Sequence, residues 1–145
     1  MATVTSITSA IVTVLDALSW VDKCSADEFV PSAVTTSCSA FIVPFAQETR
    51  VLPDVLDPNA ITLTHWLTVE FWIQHKNGAA ATTMQVARDA GALAIAALID
   101  HDGSGYNIAR DYAFEERIEP QFETHMGVPW LIVSLRVPVE NEVLT

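Results

Sequence analysis

The alternation of apolar and polar positions is strongest over residues 61–76, ITLTHWLTVEFWIQHK. Ile61, Leu63, Leu67, Val69, Phe71 and Ile73 alternate with Thr62, Thr64, Thr68, Glu70 and Gln74. A period of two predicts a strand with one buried face. Sixteen residues is about three times an ordinary strand, and at ~3.3 Å per residue they would reach roughly 50 Å. The expectation is a strand that projects beyond its own core or bends at a bulge.

A second alternating run, 128–140, sets Leu131, Val133, Leu135, Val137 and Val139 against Ser134, Arg136 and Glu140. It predicts another strong strand. A weaker strand is expected over 117–125, with Ile118 and Phe122 on one side and a hairpin turn at Met126-Gly127. Residues 38–45 read as a short strand that Pro44 confines to an edge or an end. Two segments have helical spacing. Val4, Ile7, Ile11, Val14, Leu15 and Leu18 form one stripe over 3–18. In the alanine-rich segment 79–99, Met84, Ala87, Gly91, Ile95 and Leu98 share a mostly small face suited to lying close on a sheet. Residues 22–37, 46–60 and 100–107 read as irregular connections. The order of elements and the hairpin signal predict one α+β domain over 1–145, a mostly antiparallel sheet with helices packed on one face.

Three tryptophans interrupt this pattern. Trp66, Trp72 and Trp130 occupy the polar positions of their strands, where a solvated face should carry none. Either the same chain covers that face, or these residues meet another subunit, where tryptophan is enriched. Trp20, just after the first helix, is expected in the core.

Composition narrows the possible functions. Half of the 145 residues are hydrophobic and only 17% are charged, which is more apolar material than a solitary monomer needs. Eighteen acidic residues against seven basic ones give a net charge of −11. Such a surface disfavours gripping DNA or RNA, although not standing beside it. Cys24 and Cys38 have no CxxC spacing and no companion zinc ligands, and read as reduced thiols of a cytosolic protein. No signal peptide or membrane span is read, since the 79–99 stretch contains Gln85, Arg88 and Asp89.

Candidate chemistry is sparse. In the loop from Asp100 to Tyr106, Asp100, Asp102, Ser104 and Gly105 fall at calcium-loop positions 1, 3, 5 and 6. The match then fails at Asn107 and Asp111, so the segment reads as a solvated loop and no metal or other cofactor is expected. His65 and His75 would stand ~33 Å apart on one extended strand and cannot share a metal. His65 reads as a core or interface residue and His75 as exposed. Asp111, Glu115, Glu116 and Glu119 read as a solvated acidic patch. No GxSxG, HExxH, Walker or GxGxxG motif is present, and no catalytic residue is assigned.

The layout resembles that of the tail terminator proteins of long-tailed bacteriophages. The resemblance rests on the helix SITSAIVTVLDAL, the mid-chain strand ITLTHWLTVEFWIQ, the segment GSGYNIARD after the second helix and the last strand GVPWLIVSLRVPVEN. It implies a structural virion protein, assembled in the host cytoplasm, whose copies form a ring, a homohexamer. The ring would cap the tail tube, stop its polymerisation and join the tail to the head connector or stopper protein. DNA would pass through without specific binding. Asp54, Asp57, Asp100 and Asp102 are then candidates for lining the lumen, and Trp66, Trp72 and Trp130 for the contacts between subunits. The alternatives are another neck or head-completion component, and a small α+β enzyme with its site at a subunit boundary.

Overall fold

The computed structural model describes residues 3–26, 38–42, 48–53, 60–75, 80–110, 112–118, 123–125 and 127–144. Its centre is a ribbon of two antiparallel strands, β4 (Ala60–Gln74) and β8 (Val128–Leu144). They pair without interruption from Ala60↔Leu144 to Gln74↔Trp130. The period-two alternation of both segments makes this possible, because one register puts every apolar set on the same side.

Shorter strands flank the ribbon. β2 (Cys38–Ile42) and β3 (Glu48–Pro53) pair antiparallel with β4, and β1 (Lys23–Ser25) runs parallel to β2. Along β8 lie β5 (Asn107–Ile108), β6 (Glu115–Ile118) and β7 (Glu123–His125), all antiparallel to it. The chain is thus an α+β domain with a mostly antiparallel sheet.

Helix α1 (Val4–Asp16) opens with a reciprocal cap. Thr3 Oγ1 accepts the Ser6 amide at 3.1 Å, and Ser6 Oγ accepts the Thr3 amide at 3.0 Å, so two otherwise orphaned N–H groups are satisfied. Its stripe of Ile7, Ile11, Val14 and Leu15 is buried. Asp16 at its end accepts the Cys24 amide at 2.8 Å, which ties β1 to the helix.

Helix α2 (Ala80–Asp100) packs across β4, β8 and β6. Its buried positions include Ala87, Ala90, Gly91 and Ala94, whose small size brings the axis close to the sheet. The Glu116 carboxylate lies across Gly91: a Cβ there would stand 1.6 Å from Glu116 Oε2. Both helices cover the side of the ribbon that carries Leu67, Val69, Phe71, Ile73, Leu131, Val133, Leu135, Val137 and Val139, all buried in one core. Trp20 is half-buried and packs on Phe71, its ring 5.6 Å away. No helix among the described residues is long and apolar enough to cross a membrane.

The flanking strands are broken, and the register shows where. Ile42 pairs with Val69 and Glu48 with Trp66. Five residues, 43–47, therefore separate β2 from β3 where β4 has only Leu67 and Thr68. Across the ribbon, Ile108 pairs with Val139 and Glu115 with Arg136, so six residues, 109–114, face only Val137 and Pro138. Leu67 pairs with Val137, and both interruptions overlap at that level. Among the described residues, regular pairing at that level is that of the central ribbon. Proline is ordinarily excluded from an inner strand because it cannot donate to the ladder. Pro138 accepts the Ala109 amide at 3.0 Å, so its nitrogen faces the interrupted side as its carbonyl does, where no regular strand requires a donor.

Several sequence expectations change. The connection expected over 46–60 contains β3, since the first half of β4 offers it a ladder that the two prolines of that stretch concealed. The irregular stretch 22–37 contains β1, and its residues 27–37 lie outside the described residues. Of the single strand expected over 117–125, the described residues give β6 and β7, while 119–122, with Phe122, lie outside the described residues. β8 continues to Leu144 because β4 continues opposite it. The hairpin turn stands where expected, with Gly127 at φ 78°, a conformation that glycine adopts without penalty.

Candidate interaction face

On the side of the ribbon away from the helices, β4 presents Trp66, Thr68, Glu70 and Trp72, and β8 presents Trp130, Ile132, Ser134, Arg136 and Pro138. Strand alternation puts them there, and the chain covers its own tryptophans one at a time. Trp66 is 3% exposed. Tyr112, from the stretch between β5 and β6, meets its ring edge-on with centroids 5.5 Å apart. The Arg136 guanidinium lies 4.8 Å from its centroid, a favourable cation–π position. Arg136 Nη1 also donates to Glu115 Oε2 at 2.6 Å.

At the other end, Trp130 is fully buried. Trp72 meets it at 6.5 Å and His125 of β7 at 6.3 Å, both edge-on. Trp72 Nε1 donates to Glu70 Oε1 at 3.3 Å. Trp130 Nε1 is buried with no acceptor among the described residues, a state that costs about 1–3 kcal/mol. Between the two aromatic groups lies an open depression of about 410 Å³ lined by Thr68, Glu115, Glu116, Arg117, Ser134 and Arg136. Arg136 is paired there with Glu115, whereas the Glu116 carboxylate lies across Gly91 on the helix side.

Within one chain, Trp66 and Trp130 therefore offer no surface to a partner, and only the half-buried Trp72 does. Of the four acidic lumen candidates, Asp54 and Asp57 lie outside the described residues. Asp100 is exposed. Asp102 serves its own loop: Oδ1 accepts the Ile108 amide at 2.8 Å and Oδ2 accepts from Arg110 at 2.7 Å. Gly103 and Gly105 have φ of 92° and 100°, and a Cβ on Gly105 would stand 2.9 Å from that of Ala10. The loop is accordingly built to turn tightly against α1. Ser104 is exposed at its apex. Among the described residues, no three His, Cys, Asp or Glu side chains converge to hold a metal ion.

The perturbed titrations lie away from this face. Burial pushes the Cys24 and Cys38 thiols up to about 12, with Asp16 and Asp22 adding to the rise, so both are protonated and poor nucleophiles. Burial also raises Tyr106 to about 12, helped by Asp102 and Asp100, and its hydroxyl donates to the Leu98 carbonyl. His65 is buried and its pKa is lowered by desolvation. His75, expected to be exposed, is half-buried with Nδ1 3.2 Å from Thr83 Oγ1. Glu115 and Glu116 are exposed, whereas Asp111 and Glu119 lie outside the described residues.

The residues that cover the tryptophans were not singled out from sequence. Tyr112 sits in a stretch without periodicity. Arg136 looked like an ordinary polar position of its strand, and only Pro138, a proline within an inner strand, marked the level at which they gather. No protein-family profile matches the chain. No curated protein shows significant similarity to it.

Proposed function

We propose that the chain is a structural ring subunit of a virus tail, a tail terminator whose homohexamer caps the tail tube, halts its polymerisation and meets the head connector. One observation carries this reading: pairing in the central ribbon runs past its helix-side core as far as that core is described. Among the described side chains the core reaches Val139, opposite the buried His65, while the ladder continues to Ala60↔Leu144 and Leu63 is only half-buried. A three-stranded extension of β3, β4 and β8 suits contact with a neighbouring copy, because it presents ordered backbone at little further entropic cost. The low charged fraction fits a lasting assembly, and the net charge of −11 fits a ring through which DNA slides without being held. The layout resemblance supplies the place in the virion.

Light scattering coupled to size exclusion, over a concentration series, tests the reading. The subunit is 15.8 kDa, and the expected particle is about six times that mass, either alone or after addition of tube protein. A particle that stays monomeric or dimeric in both conditions refutes it.

A further inference from the structure

The outer face of a surface helix is ordinarily polar and charged. The outer face of α2 is not. Among the described residues, the exposed large hydrophobic side chains are Val86, Leu93 and Ile99, at 41, 51 and 49% exposure, and all three stand on this helix. At about 100° per residue they share an arc of about 140° with the exposed Ala92 and Ala96. The buried Ala87, Ala90, Ala94 and Leu98 lie on the opposite arc. Charge is also scarce here. Of the chain's 18 acidic and seven basic residues, α1 holds only Asp16 and α2 only Arg88, Asp89 and Asp100. The far side of the sheet, by contrast, carries Glu70, Glu115, Arg117 and Arg136.

We propose that this face of α2 is an interface between two copies of the chain, each α2 lying antiparallel against the other about a two-fold axis. Two bodies of net charge −11 repel, and they approach most cheaply through a face that is apolar and poor in charge. A two-fold axis joins like to like, as an apolar stripe requires. Charge also sets the register. With the axis between Ala92 and Leu93, Val86 of each copy stands level with the partner's Ile99, Asp89 with the partner's Ala96, and Asp100 with the partner's Gln85. No two like charges then meet. An axis one turn earlier would set Asp89 against its own copy. The small side chains of Ala92 and Ala96 let the helix axes come close. The pairing does not rest on the ring reading.

Cysteine cross-linking of the full chain tests it. Cys24 and Cys38 are buried, with their thiols pushed up to about 12, and give no background. Ala92→Cys, beside the axis, should form a disulfide-linked dimer under mild oxidation, at least about tenfold more than Ser104→Cys at the exposed loop apex. Leu93→Asp, at an exposed position that spares the fold, should raise the dissociation constant of the pair at least about tenfold in sedimentation equilibrium. A dimer with both properties and no larger particle supports the pairing and refutes the ring. A hexamer that Leu93→Asp leaves intact and Ala92→Cys does not link overturns the pairing and leaves the ring standing. A chain that stays monomeric, or equal linking at positions 92 and 104, overturns the pairing.

Discussion

On the helix side of the central ribbon, Leu67, Val69, Phe71, Ile73 and their β8 counterparts merge into one apolar core with α1 and α2. On the other side, the same two strands carry three tryptophans whose described contacts are individual: Tyr112 and Arg136 on Trp66, His125 and Trp130 on Trp72. The first face is held by area removed from water, which is non-directional and tolerant of small shifts. The second is held by ring edges and a charge pair, each with its own geometry. Loss of a residue on the first face should therefore be felt throughout the fold, and loss on the second close to where it occurs.

The largest effect is expected from Phe71→Ala. The ring is fully buried, and its removal should cost about 3–5 kcal/mol, read as a lowered urea midpoint with an unchanged transition slope. A loss below ~1 kcal/mol would show that the helix-side core is not the main source of stability. Trp130→Phe should cost less than about 1.5 kcal/mol, because the lost volume is offset by removing an N–H that has no acceptor. A larger loss would mean that the indole nitrogen is satisfied in solution.

The smallest effect concerns pH. Folding keeps His65 neutral by desolvating it, below its ordinary 6.5, so the unfolded chain takes up a proton that the folded chain refuses. Stability from this source is complete above pH 6.5 and declines as the pH falls below it. The urea midpoint of His65→Gln should therefore vary less between pH 7.5 and 5 than that of the wild type, and equal slopes would rule this out.

The ribbon was legible because alternation is a strong signal wherever one face is buried. The strand expected over 61–76 is Ala60–Gln74, and the helix expected over 79–99 is Ala80–Asp100. The flanks were not legible, because tertiary pairing creates them. ETRVLP becomes β3 only against the first half of β4. β5, β6 and β7 are too short to show any period, and they exist because β8 offers them an edge. For the candidate face, the tryptophans' departure from the pattern was plain. What covers them was not, because Tyr112 and His125 arrive from segments whose paths are set by interruptions in the sheet.

Those interruptions also bear on how the chain behaves when crowded. A sheet edge invites aggregation in proportion to the straight, unpaired backbone that it offers to a stranger. Here the two longest strands are both internal, and the longest outer strand among the described residues is the six-residue β3. Segments of about six or seven residues are the usual length of a cross-β template, and of the described outer strands only β3 reaches six, ending in Pro53. A sequence that is half hydrophobic can thus accumulate at high concentration with its most strongly β-forming segments kept out of reach.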